Sequence, residues 1–93
     1  MAYIFEWDLN KAEANVRRHG VTFGEACTVF ADPLSLLMED LDHSAEEQRY
    51  LVLGTSGRAR LLAVAFAERP PRTRLISARK ATRSERRFYE EES

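Results

Sequence analysis

The chain has 93 residues, 44% of them hydrophobic and 31% charged, with 14 Lys and Arg against 15 Asp and Glu for a formal net charge of -1. That length and balance describe one folded domain with a modest core, and exclude both a disordered chain and two independently folded units. The one cysteine, Cys27, excludes an internal disulfide and favours an intracellular setting, and the longest apolar run, Leu61 to Ala67, falls far short of the roughly 20 residues of a membrane span.

At the N-terminus, MAYIFEWD has no basic start followed by an apolar stretch, so no secretion signal is expected and a cytoplasmic location is. Tyr3 to Glu6 alternates apolar and mixed residues and reads as a short strand. Asp8 then caps a helix whose apolar positions Leu9, Ala12 and Val16 follow helical spacing. Gly20 ends it, with Arg17, Arg18 and His19 in the last turn, where positive charge suits the helix dipole. Thr22 and Glu25 form a capping-box pattern that opens a second helix through about Phe30, stopped by Asp32-Pro33. Four strands follow, at Leu34 to Glu39, Arg49 to Thr55, Leu61 to Glu68 and Thr73 to Ala78, joined through LDHSAEE, SGR and RPPR. The third is apolar on both faces, which predicts a central place in the sheet. Short connections favour an antiparallel meander. Thr82 and Glu85 form a second capping box and open a last helix. The fold class expected is α+β: a four-stranded, largely antiparallel sheet, with room for a short extra N-terminal strand, carrying two N-terminal helices and one C-terminal helix.

The net charge conceals an asymmetry. From Glu25 to Glu47 there are acidic residues and no Lys or Arg, whereas Arg58 to Arg87 holds ten Lys and Arg against Glu68 and Glu85. Arginine supplies most of the cations, and its planar fork suits phosphate and carboxylate. Arg79 and Lys80 are expected just past the fourth strand, with Arg79, Arg83 and Arg87 spaced to share one face if the helical turn begins early. Arg58, Arg60, Arg72 and Arg74 come from neighbouring strands and turns. Such a surface fits three descriptions: a solvated helix face, a platform for RNA phosphates, or a seat for an acidic protein partner.

The stretches FEWDLNKAEANVRRHGVTFGEA (5 to 26), FADPL (30 to 34), RLLAVAF (60 to 66) and LISARKATRSERRFYEE (75 to 91) resemble the BrnT toxins, the ribonuclease component of bacterial type II toxin–antitoxin pairs. The W-D-x-x-K, H-G-V-x-F and I-S-A-R-x-A-x-x-x-E-R patterns are specific together and weak singly. The resemblance implies a RelE-like fold, RNA cleavage that arrests translation, and neutralisation by a ribbon-helix-helix, BrnA-like antitoxin. Two toxins per antitoxin dimer is the simplest closed assembly, with DNA contacted only through the antitoxin.

RNA cleavage without a metal needs a base for the 2′-hydroxyl proton, positive charge for the phosphorane, and an acid for the leaving oxygen. Arg60 and Arg79 are the leading charge donors, carried over through R-x-L and ISAR, with Arg83 in support. Lys11, on the first helical turn, is a further catalytic candidate, with a solvated lysine as the competing reading. His19 is a candidate base, since a histidine titrates near neutrality, although a helix-capping role competes. Glu85 is a capping residue whose carboxylate is also placed to orient Arg79. Trp7 is a candidate to stack on a base or, equally, to pack in the core. Arg58, Arg74, Lys80 and Arg87 extend the RNA surface, and Tyr89 joins them by analogy with RelE-like toxins. No cofactor or metal is expected: Asp40, Asp42 and His43 in EDLDHS read as a solvated loop, and Cys27 as packing. The HGVTFGEA segment resembles a helix-turn-helix in outline, but its second helix has no basic residue to reach a phosphate or base edge. A catalytically silent RNA- or DNA-binding module and an acidic-partner module are the competing functions.

Overall fold

The computed structural model of the chain describes residues 3–40 and 47–92. Its elements are β1 (Phe5–Glu6), α1 (Leu9–His19), α2 (Phe23–Val29), β2 (Leu36–Glu39), β3 (Arg49–Thr55), β4 (Leu61–Arg69), β5 (Arg72–Lys80) and α3 (Arg83–Glu92). The helix boundaries follow from local chemistry. Asp8 Oδ1 accepts the amides of Asn10 and Lys11 at 2.7 and 3.3 Å and so fixes the start of α1. Gly20 closes it at φ 68, a left-handed turn that glycine adopts without a Cβ clash, and its N–H reaches the Val16 carbonyl at 2.8 Å. At α3 the capping box is complete: Glu85 N donates to Thr82 Oγ1 at 3.1 Å and Thr82 N donates to Glu85 Oε1 at 2.9 Å. At α2 only half of it forms, because Glu25 N meets Thr22 Oγ1 while the Glu25 carboxylate turns elsewhere.

The five strands lie in the order β1-β5-β4-β3-β2. β2 to β5 make the expected antiparallel meander with apolar β4 in the middle, and the short N-terminal strand adds to β5 in parallel. Several expected boundaries move: the first strand starts at Phe5 rather than Tyr3, β4 runs on to Arg69 and β5 starts at Arg72, and two further shifts have a visible cause. The second strand begins at Leu36 rather than Leu34, because Asp32 holds a turn through Leu34 N (2.9 Å) and Ser35 N (3.1 Å). β5 extends to Lys80, paired with Leu62, so Arg79 and Lys80 belong to the strand. Arg79 therefore does not continue the helical row of Arg83 and Arg87.

α1 and α2 cover one face of the sheet, where Val21, Phe23, Ala26 and Val29 meet Val52, Leu62, Val64, Phe66, Leu75 and Ala78. α3 crosses the other face, against a smaller cluster of Leu53, Leu61 and Ala63. β3 runs so close to α2 that a Cβ on Gly54 would sit 2.9 Å from Val29 Cγ1. The β4–β5 pairing jumps between Ala65/Ser77 and Phe66/Leu75, leaving Ile76 as a bulge. Beside it, buried Asn15 reaches from α1 to β5: Nδ2 donates to the carbonyls of Ala78 (2.8 Å) and Val21 (2.9 Å), and Oδ1 accepts the Ala78 amide at 3.0 Å. No helix among the described residues is long and apolar enough to cross a membrane.

Candidate functional site

The arginines of the strands and turns are held by glutamates. Glu25 takes Arg58 (3.9 Å) and Arg60, Glu47 takes Arg49 (3.3 Å) and Arg69 (2.9 Å), Glu6 takes Arg72 (3.8 Å) and Arg74 (3.3 Å), and Glu85 takes Arg79 (2.7 Å). Lys11, Arg17, Arg18, Lys80, Arg83, Arg86 and Arg87 make no ion pair among the described residues. Unpaired positive charge among the described residues thus sits on α1, on α3 and at the end of β5.

Arg60 belongs to the α1/α2 side of the sheet. Its Nε donates to Glu25 Oε2 at 2.9 Å, a terminal nitrogen donates to Glu25 Oε1, and the same nitrogen reaches the Gly20 carbonyl at 3.2 Å. The Glu25 side chain is 4% exposed. Hydrogen bonding to Arg60, reinforced by Ser56, overcomes burial and holds its carboxyl down to about 2. Ser56 Oγ donates to Glu25 at 2.7 Å and accepts the amides of Arg58 and Arg60, so one buried carboxylate organises the whole β3–β4 turn. In that turn Ala59 has φ 61, a left-handed conformation costly for a residue with a Cβ.

Arg79 points the other way, toward α3. Both its terminal nitrogens donate to Glu85, at 2.7 and 3.0 Å, and the fork also brushes the Lys80 carbonyl at 3.4 Å. That pairing, with the Thr82 cap, holds Glu85 down to about 2. The Arg79 side chain remains 37% exposed, beside exposed Lys80 and Arg83. Arg60 and Arg79, the two leading candidates to meet phosphate, are drawn by their carboxylate partners to opposite faces of the sheet. Glu85 is the orienting partner of Arg79, and a carboxylate ionised down to about pH 2 has little pull on a hydroxyl proton.

Lys11 and His19 do come together, with Arg18, around a recess of about 150 Å³ between α1 and β5 whose floor includes Ser77. Trp7 does not join them. Its half-buried ring stands edge-on to Phe23 at 5.8 Å and packs against the larger core. Tyr89 likewise faces inward: its hydroxyl donates to Asp32 Oδ2 at 2.6 Å and accepts from Thr55 Oγ1 at 3.3 Å, and the Asp32 carboxylate pushes the phenol pKa up. Arg58 is 73% exposed at its turn, Arg74 is engaged with Glu6, and Arg83 and Arg87 stand exposed on α3. Among the described residues no group of three or more His, Cys, Asp or Glu is placed to hold a metal; Asp42 and His43 lie outside them.

The profile of the family described as ribonuclease toxin, BrnT, of type II toxin–antitoxin system matches residues 7–85. The chain belongs to the BrnT family. The crystal structure of the Brucella abortus ribonuclease toxin BrnT superposes with a TM-score of 0.67 at 19% identity, over 88% of this chain and 100% of that one, which shows the shared fold. No curated protein sequence matches the chain. BrnT membership implies an RNA target and a cognate antitoxin. The span matched to BrnT contains the Arg60–Glu25 and Arg79–Glu85 forks and stops short of Tyr89.

Sequence reasoning missed Glu25, Ser56, Asp32 and Asn15. Glu25 read as a cap because it stands three residues after Thr22. Its neighbours Phe23, Ala26 and Val29 are all core residues, and a carboxylate in that company calls for a buried cation.

Proposed function

We propose that this BrnT-family protein is a metal-independent endoribonuclease whose Arg79, fixed by Glu85, stabilises the charge that develops on the scissile phosphate. In this reaction the ribose O2′ attacks the adjacent phosphorus, the bond to O5′ breaks, and the products carry a 2′,3′-cyclic phosphate and a 5′-hydroxyl. The protein's part is a fixed positive charge where the phosphorane forms. What supports the reading is the Arg79 fork itself: both terminal nitrogens are tied to one carboxylate, and exposed, unpaired Lys80 and Arg83 flank the turn between β5 and α3. An arginine already held in place loses little conformational freedom when it meets a phosphate. Arg60 contributes field and scaffold through Glu25 rather than a direct grip. The partner is a ribbon-helix-helix, BrnA-like antitoxin, two toxins to one antitoxin dimer, with DNA bound by the antitoxin.

The test is cleavage of a labelled RNA by the purified protein in EDTA. Expected are cyclic or 3′-phosphate ends, and a rate for Arg79→Ala lower by about 100- to 1,000-fold in a folded protein. Activity lost in EDTA, restored by magnesium and leaving 3′-hydroxyl ends overturns the mechanism. RNA binding with no cleavage under any condition points instead to a silent binding module built on the same cations.

A further inference from the structure

The recess between α1 and β5 is not explained by the Arg79 fork. Lys11, Asn15 and Arg18 line it at i, i+4 and i+7, one face of α1, with His19 and Ser77 completing the wall. The Asn15 amide is fully occupied by Ala78 and Val21 and serves as structure. Lys11 and Arg18 are exposed and have no carboxylate partner, and the Ser77 hydroxyl makes no hydrogen bond among the described residues. On the sheet, by contrast, glutamates hold the arginines of the strands and turns.

A helix C-terminus accounts for Arg18 and His19, because cations there complement the dipole. It does not account for Lys11. That residue occupies the third position after the Asp8 cap, in a first turn that contains no acidic residue, where the dipole disfavours a cation. A lysine against the dipole, an arginine with no counter-ion and a free hydroxyl around one hollow make a site for an anion. The anion's class follows from the strand. Ser77 and Arg79 stand two positions apart on β5, about 7 Å at the usual rise. An RNA chain carries phosphates at a regular short repeat, whereas carboxylates along a peptide have no fixed spacing.

We propose that the Lys11–Arg18–His19–Ser77 recess is a subsite for an RNA backbone phosphate neighbouring the one that is cut. It rests on the ribonuclease reading and deepens it: Lys11 and His19 hold the strand in register rather than perform the chemistry, and Arg18 joins them.

Two measurements on the full chain test this. In the first, inorganic phosphate is titrated into labelled protein and followed by NMR. Shifts are expected at Lys11, Arg18, His19 and Ser77, weakened roughly tenfold or more in affinity by Lys11→Gln or Arg18→Ser and unchanged by Arg17→Ser, the neighbouring cation outside the recess. In the second, the KM for an RNA oligonucleotide is expected to rise by a similar factor in Lys11→Gln and Arg18→Ser, with a smaller change in kcat. Equal effects of Arg17→Ser reduce the site to diffuse charge and sink the subsite. So does a loss confined to kcat, which returns Lys11 to the chemistry, or protection of the recess by antitoxin peptide and not by RNA. If the protein cleaves no RNA at all, the ribonuclease reading falls, and the phosphate titration still decides whether the recess binds the anion.

Discussion

Removing Arg60 strands Glu25, whose side chain is 4% exposed, without its main partner. Breaking the pair leaves a buried carboxylate uncompensated, so Arg60→Ala is expected to shift the urea midpoint strongly. Arg79→Ala, at a side chain 37% exposed, is expected to cost only about 1 kcal/mol while abolishing most RNA cleavage. Urea unfolding of the two variants beside their activities separates scaffold from chemistry; equal stability losses would contradict the division. Acid stability carries the same signature. Glu25 and Glu85 are both held down to about 2, so each contributes stability that is present above the ordinary carboxylate value of 4.5 and lost as pH falls toward 2. Stability should therefore be level from neutrality to about pH 5 and fall from there to pH 2, and Glu25→Gln should flatten that fall at a lower plateau. Ala59 offers the opposite sign. At φ 61 it gains from losing its Cβ, and Ala59→Gly is expected to raise stability by up to roughly 1 kcal/mol, less the extra entropy of a glycine in the unfolded chain. Arg79 and Glu85 were legible as a pair because they stand only six positions apart in one local motif. Glu25 and Arg60 were not, since 35 residues separate them and nothing local in HGVTFGEA distinguishes a cap from a buried ion pair.

At the scale of elements, α3 is anchored with little burial. It has no buried residue and is held by the Thr82–Glu85 cap, the Arg79 fork and the Tyr89 hydroxyl on Asp32. Tyr89→Phe keeps the ring against the second core and removes only that hydroxyl, which is expected to cost on the order of 1 kcal/mol. Amides of α3 should then exchange with solvent about tenfold faster while those of β4 barely change. Uniform acceleration across the sheet would mean that α3 does not open separately. The helices were readable because their ends carry their own chemistry: Asp8, Gly20, Thr22 and Thr82 act on groups within four residues. Strand ends depend on neighbours. β5 reaches Lys80 because Leu62 is there to pair with it, and Leu34 falls outside β2 because Asp32 claims the preceding turn.

Across the whole molecule, four glutamates pair with the arginines of the strands and turns and leave Lys80 and the cations of α1 and α3 unmatched among the described residues. RNA binding should accordingly weaken with salt by about 0.7 in log–log slope per phosphate held, and Arg83→Ala or Arg87→Ala should each lower that slope by about as much without changing which sequence is cut. The same corner is where an antitoxin is expected to sit, since arginine forks bind carboxylates as well as phosphates. Hydrogen exchange of the toxin with and without its antitoxin should show residues 79–87 protected in the complex, and RNA should compete for them. Protection confined to β2 and its neighbourhood, with α3 unchanged, would place inhibition elsewhere.

Asn15 bears on a different hazard. A half-open strand beside α1 offers backbone groups to any extended chain, including a copy of itself, and unguarded edges of this kind seed aggregates. The Asn15 amide satisfies both the N–H and the carbonyl of Ala78, as a neighbouring strand would. A toxin released from its antitoxin must stay dispersed long enough to act. Asn15→Ala would leave that edge unsealed, and the liberated protein would then be expected to disappear into sedimenting assemblies before it reached its target.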